Sequence, residues 1–311
     1  ASQTDSSTMS AYNSFTIGPY HLQKILGKGG MGMVWQVHDP RLKRTVALKI
    51  LHNTLSSDRL TQDDFDEEAQ ISAQLQHPGI IPIYSYSHTD RHIPFLTMKE
   101  VRGQTMKEII KKIHALPKGS TTSDGWTFRR LVSAFQSVCE TMAYAHSKCV
   151  IHRDLKPSNI MIGKFGEVLV VDWGIAKVVS LPSSTEDDEP PVVTTRSQKA
   201  KKEENGLILG TLAYMSPEQA SGKVKRMDHR SDIYSLGVIL FQILTGETYH
   251  KGSKEEILQQ IRTGRRYTLT EELNTDDEAT INLSHQARPQ KDIPTTVNEE
   301  RSFLPPKFLG L

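Results

Sequence analysis

Val150 to Ile162 reads VIHRDLKPSNIMI, with a histidine, an arginine, an aspartate, a lysine and an asparagine inside eight positions and an apolar run on either side. So much polar chemistry set into sequence that otherwise reads as interior demands a reason. Working outward, TFRRLVSAFQSVCETMAYAHSK leads into the stretch. Phe128, Leu131, Val132, Phe135, Val138 and Met142 recur there at helical spacing and predict a long amphipathic helix. On the other side EVLVVDWG predicts a short buried strand.

Further upstream, YHLQKILGKGGMGMVWQVHD carries two alternating runs around a glycine cluster, and RTVALKIL supplies a third. Tyr20 to Leu51 therefore predicts an antiparallel meander. DDFDEEAQISAQLQH follows with Phe65, Ala69, Ser72/Ala73 and Gln76 in helical register, stopping at Pro78. Short strands are expected around Ile81 to Tyr86 and Pro94 to Met98, and beyond Gly103 the pattern is mostly helical. Residues 1 to about 17 are Ser/Thr-rich and aperiodic, as in a flexible leader. About 180–206 lies SLPSSTEDDEPPVVTTRSQKAKKEENG, whose acidic run, Pro pair and basic run predict a loop rather than core.

Hydrophobic residues make up 37% of 311, enough for one large domain or two lobes. Lys plus Arg (38) and Asp plus Glu (36) leave a net charge of +2, so no global field points to nucleic acid or a membrane surface. An anionic ligand must be gripped locally. Cys139 and Cys149 lack metal-type spacing, and ASQTDSSTMS carries no secretory apolar core, which fits reduced thiols in the cytoplasm. The most apolar run, IYSLGVILFQIL, is too short to span a bilayer. The alanine at position 1 leads us to expect a trimmed piece of a longer chain.

Two features bear on an anion. GKGGMGMV sets Gly27, Gly29 and Gly32 in a G-x-G-x-x-G-x-V pattern, which is weak alone. A dinucleotide site would need a helix to start there, yet MVWQVHD alternates like a strand, so the loop is expected to be a flap whose bare backbone lies over phosphates. In VALKI, alternation sends Ala47 and Lys49 to one face. Either Lys49 sits on a solvated strand face or Glu68, from the acidic helix, pairs with it.

Taken in order, this glycine loop, VALKI, HRDLKPSN, DWG and GTLAYMSPEQA resemble the eukaryotic-like protein kinase family over about Tyr20 to Gly246, and bacterial serine/threonine kinases in particular. The resemblance implies an α+β bilobal fold, with a small antiparallel-sheet N-lobe bearing one main helix over 18–101 and a mostly helical C-lobe over 102–311. It implies ATP and magnesium, or manganese in its place. Asp154 would orient or deprotonate the substrate hydroxyl, and Lys156 would steady the transferring phosphoryl group. Asn159 and Asp172 would hold the metal, and Lys49, paired with Glu68, would reach the α- and β-phosphates. Val34, Ala47 and Met161 would sandwich the adenine and Met98 guard its rear, with backbone groups of Lys99 and Val101 bonding its edge. His152 would pack behind the aromatic of DWG, and Arg153 would receive a phosphate from the activation segment, 172–218. Thr211 would bond Asp154 and Lys156. Asp232 would tie down the catalytic-loop backbone, an N-cap role being its alternative. Partners would be proteins with Ser/Thr acceptors and a second copy for trans-autophosphorylation. Kinases for small molecules lack this lysine spacing and docking segment.

The sequence departs from the family in places. Trp173 replaces the usual phenylalanine, and Ser72, four beyond Glu68, is expected to make room for its indole. Thr194 and Thr195, then Ser183, Ser184 or Thr185, are expected acceptors whose phosphorylation orders the segment. HALPKGSTTSDGW reads as an inserted loop without a role. The chain ends proline-rich where the family has two more helices and an arginine for Glu218, and Arg301 is a poor substitute. Trp173 and the short lobe keep a pseudokinase as the rival, although Lys49, Glu68, Asp154, Asn159 and Asp172 are all intact. A wide separation of Lys49 from Asp172 would overturn the assignment.

Overall fold

Alternation between Tyr20 and Leu51 yields three long strands, and pairing extends them into a six-stranded antiparallel sheet. The computed structural model describes residues 15–30, 32–55, 58–179, 191–195, 209–223 and 226–264. The strands are β1 (Thr16–Ile17), β2 (Tyr20–Lys28), β3 (Gly32–Asp39), β4 (Arg44–Leu51), β5 (Ile83–His88) and β6 (Pro94–Met98). They lie in the order β1-β2-β3-β4-β6-β5. Val34 opposes Lys49, which opposes Leu96, and Ala47 opposes Met98. Paired residues share a face and alternate residues return to it, so Val34, Ala47, Lys49, Leu96 and Met98 all project from one side. The other side buries Trp35, Val37, Val46, Leu48 and Phe95. Gly32 is required where β3 starts, because a Cβ there would lie 2.2 Å from the Ile50 carbonyl oxygen.

Helix α1 (Arg59–Gln74) starts earlier than the periodicity suggests, since Asp58 caps it by accepting from the Leu60 N–H. Phe65, Glu68, Ala69, Ile71 and Ser72 are buried, whereas Ala73 and Gln76, expected on that face, are exposed. The cause is a second apolar neighbour. Phe65 and Ala69 pack under the sheet with Leu51 and Leu96, while Ile71 and Leu75 join the core of the helical half, rotating the buried stripe toward both.

That half contains α2 (Met106–His114), α3 (Phe128–Ser147), α4 (Pro217–Ala220), α5 (His229–Thr245) and α6 (Lys254–Thr263). Short strands interrupt it: β7 (Gly103–Thr105), β8 (Val150–Ile151), β9 (Ile160–Gly163), β10 (Val168–Val170) and β11 (Lys177–Val178). Their sheets run β10-β9-β7 and β11-β8. Leu131, Val138 and Met142 of α3 meet Ile239 and Ile243 of α5 in one core. Phe128 and Val132 do not share it, being 40% and 37% exposed. The buried stripe follows Leu131, Phe135, Val138 and Met142, leaving Phe128 at the first turn and Val132 one position around the helix. The stretch after His114 to Trp126 is a loop, as expected, and it is pinned to the fold: the Trp126 N–H donates to Thr122 Oγ1 at 2.8 Å, Trp126 is buried, and Asp124 accepts from Lys112 Nζ at 2.7 Å. Among the described residues no helix is long and apolar enough to cross a membrane.

Candidate active site

The polar stretch His152 to Asn159 is a loop held at both ends by strands, β8 before it and β9 after it. Asp232, fully buried one turn into α5, accepts from the backbone N–H of His152 at 2.8 Å and of Arg153 at 2.9 Å, and contacts His146 Nε2 at 2.8 Å. The N-cap of α5 is Asp228, so Asp232 is not a cap. Arg153 adopts a left-handed φ of 69°, a conformation costly for a residue with a Cβ and kept only where surroundings enforce it. Gln219 helps by donating from Nε2 to the Arg153 carbonyl at 2.7 Å. The Asp154 N–H donates to His152 Nδ1 at 3.2 Å, which leaves Nε2 as the protonated nitrogen facing the Val171 carbonyl, also at 3.2 Å. The His152 ring lies 4.6 Å from the Trp173 ring, and the indole is buried with its N–H 3.4 Å from the Val170 carbonyl.

Fixed in this way, the Asp154 carboxylate collects four donors. Lys156 Nζ reaches Oδ2 at 2.6 Å, Asn159 Nδ2 reaches the same oxygen at 3.2 Å, and Thr211 donates its N–H and hydroxyl to Oδ1 at 2.8 and 2.7 Å. Lys156 also reaches Thr211 Oγ1 at 2.8 Å.

Across the cleft Lys49 Nζ contacts both oxygens of Glu68 at 2.5 and 2.6 Å and lies 3.7 Å from Asp172 Oδ1. The strand-face alternative for Lys49 is thereby resolved: the amine is paired. Burial, the largest influence on it, favours the neutral amine, but the Glu68 and Asp172 carboxylates outweigh burial and hold its pKa above 10.5. Asp172 has a left-handed φ of 67°. Gly174, for which the sequence alone assigns no role, lies two residues on, and a Cβ there would sit 3.2 Å from Glu68 Oε2 and 3.5 Å from Asp172 Oδ1. The glycine keeps that space clear.

One cleft of about 760 Å³ takes in Gly27, Gly29, Gly32, Val34, Ala47, Lys49, Glu68, Met98, Lys99, Val101, Asp154, Lys156, Asn159, Met161, Asp172 and Thr211. Added Cβ atoms at Gly27 would meet nothing within 4 Å, and at Gly29 only the Gly32 carbonyl at 3.6 Å, so the flap's backbone is open to a ligand. The Lys99 N–H donates to the Pro82 carbonyl at 3.2 Å. Its own carbonyl and the Val101 N–H have no hydrogen-bond partner among the described residues.

Polyphosphate and a hard cation fit these residues. Asp172 presents a carboxylate oxygen 3.7 Å from the Lys49 ammonium and Asn159 lines the same cleft, and among the described residues no group of three or more His, Cys, Asp or Glu converges into a closed cage. Magnesium characteristically takes one or two protein oxygens and completes its shell with phosphates and water.

Other expected residues lie elsewhere. Arg153 is buried behind the loop. Glu218 stands at the start of α4, where its Oε1 accepts from the Ser231 hydroxyl, beside a cavity lined by Arg226, Arg230 and Arg262. Thr194 is only 1% exposed and its hydroxyl is 3.3 Å from Glu67 Oε1, a poor setting for a phosphate acceptor. Thr195 is exposed and bonded to Gln70. Ser183, Ser184, Thr185 and Arg301 lie outside the described residues, as do residues 1–14 and the proline-rich end; the leader expected to run to about residue 17 stops short of that, because Thr16 and Ile17 pair with β2 as β1.

Residues 20–292 match the protein kinase domain family. The chain is 40% identical over 240 residues to serine/threonine-protein kinase PknD of Protochlamydia amoebophila, covering 76% of this chain and 24% of that protein. It is 38% identical over 231 residues to serine/threonine-protein kinase PknD of Chlamydia abortus, covering 73% and 24%. The chain thus spans about a quarter of the length of the curated relatives it matches.

Proposed function

We propose, from the premise that this chain belongs to the protein kinase domain family, that it transfers the γ-phosphoryl group of ATP to serine or threonine hydroxyls of proteins. The observation that carries the proposal is Lys49 Nζ bridging Glu68 and standing 3.7 Å from Asp172, in the same cleft as Asp154, Lys156 and Asn159. Phosphoryl transfer needs positioning and charge neutralisation more than covalent chemistry, and this cleft offers two cations, two metal-type oxygen donors and one carboxylate facing them.

Lys49, held by Glu68, would orient the α- and β-phosphates. Asn159 and Asp172 would hold magnesium, or manganese, which when bound would neutralise charge between the phosphates. Asp154 Oδ1, now accepting from Thr211, would accept the bond of an incoming hydroxyl, and Lys156 would steady the oxygens in transit. Thr211 lining this spot favours small aliphatic hydroxyls. Val34, Ala47, Met98 and Met161 would enclose the adenine, whose edge suits the Lys99 carbonyl and Val101 N–H. We also assign the sheet half to residues 18–101 and the remainder to 102–311, with a cytoplasmic setting in keeping with ATP use and with Cys139 and Cys149 unbridged.

The test compares the chain with Asp172→Ala and Lys49→Met in radiolabelled ATP and magnesium, following self-labelling and transfer to a generic basic protein. Label in the unaltered chain alone supports transfer; ATP binding without label in any form would show a nucleotide-binding scaffold instead.

A further inference from the structure

Helix α1 carries the Glu68 carboxylate that holds Lys49, so whatever fixes α1 decides whether the pair forms. On its solvent side Gln70 and Gln74 stand four apart, one above the other. Opposite them runs the short segment 191–195, from the charged region after Asp172. Gln74 Nε2 donates to the Val193 carbonyl at 2.8 Å and the Val193 N–H donates back to Gln74 Oε1 at 3.1 Å. The Thr195 N–H donates to Gln70 Oε1 at 2.8 Å, and Gln70 Nε2 donates to Thr195 Oγ1 at 3.0 Å. The alternate residues turn inward: Val192 and Thr194 are 4% and 1% exposed, and Val192 joins the core that includes Ile71, Leu75 and Trp173. Its N–H donates to the Lys148 carbonyl at 3.3 Å. One short segment therefore ties α1 to the end of α3.

We propose that Gln70 and Gln74 are positioning residues: their two side-chain amides grip Val193 and Thr195, and this brace holds α1 where Glu68 meets Lys49. The bond to the backbone is neutral and needs no phosphate. A negative group on Thr194 would instead face Glu67, whose Oε1 lies 3.3 Å from the threonine hydroxyl, and would lift the segment. Charge at Thr194 then weakens the active arrangement, the opposite of the ordering role expected from sequence.

The inference rests on the kinase reading, and its test separates the two. The full chain is compared with Gln70→Leu/Gln74→Leu, which keeps size and removes the amides. Transfer to a basic protein is expected to fall about tenfold or more in kcat, with unchanged melting temperature, and hydrogen exchange of the α1 amides is expected to quicken. In a Glu68→Gln background the double leucine change should have little further effect, because the pair it supports is already gone. Full kcat in the leucine variant, or an undiminished loss in the Glu68→Gln background, overturns the brace. Should the unaltered chain transfer no phosphate, the kinase reading fails, and hydrogen exchange alone decides the brace: equal α1 protection in both proteins refutes it. Thr194→Glu should lower kcat and Thr194→Val should not, with Glu67→Gln restoring part of the loss. Activation by Thr194→Glu would overturn the direction.

Discussion

The two walls of the cleft are held by different physics. The lower wall, from His152 to Asn159, is fixed through its backbone: a buried carboxylate, Asp232, takes two adjacent amides, and Arg153 is kept at a positive φ. The upper wall is fixed through side chains, Lys49 on a strand and Glu68 on a helix whose outer face rests on residues 193–195. Backbone ties to a buried partner allow few alternatives. A side-chain pair between two separately packed elements can open without unfolding either. The lower wall is thus held by backbone ties to a buried partner and the upper wall by a side-chain pair between two separately packed elements.

The comparison breaks first at Asp232. Asp232→Ala leaves two backbone amides and His146 without their buried acceptor, and should cost ~3–5 kcal/mol of stability. Thermal melting checks this; a shift within error of the unaltered chain would mean the loop is held by something else. Next, Glu68→Gln should lower kcat by about a hundredfold, ~2.7 kcal/mol, while melting changes little because Lys49 keeps Asp172. Equal losses of melting temperature at Glu68 and Asp232 would erase the distinction between the walls. Ser72→Leu follows, with transfer down about tenfold as added carbon overfills the buried Ser72 site in the cleft that Trp173 also lines. Unchanged turnover would dissociate the small serine from the large indole.

The smallest effect tests a place away from both walls. Burial lowers the His250 pKa from 6.5, Gln260 opposing the shift, while the ring contacts the Tyr234 hydroxyl at 2.8 Å and packs edge-on to Tyr249. A histidine more acidic when folded takes its proton first in the unfolded chain, so its contribution is present above pH 6.5 and lost as pH falls through and below it. The loss should be under about 1 kcal/mol, read as the melting temperature between pH 7.5 and about 5.5 against His250→Gln. A variant that loses as much as the parent would place the sensitivity elsewhere.

Legibility followed the range of the interactions. Alternation in Tyr20–Leu51 is a local signal, and β2, β3 and β4 appear where it predicts them. The motif residues Lys49, Glu68, Asp154, Asn159 and Asp172 were legible because their chemistry restricts residue type at each position, and the fold brings them into one cleft. Helix faces are less legible: Phe128 and Val132 have the right hydrophobicity but stay 40% and 37% exposed, and Gln76 has the right spacing only. Trp126 anchors an insertion whose polar composition hides its packing.

By itself the sequence determined which residues carry charge, oxygen donors and backbone freedom, and in what order, because those properties belong to single side chains and short repeats. Tertiary structure alone decided that Lys49 is paired, that Gly174 guards the space beside Glu68 and Asp172, and that Gln70 and Gln74 grip a segment more than a hundred positions away. Such contacts depend on how two surfaces distant along the chain are oriented when they meet, and no local pattern of residues encodes that orientation.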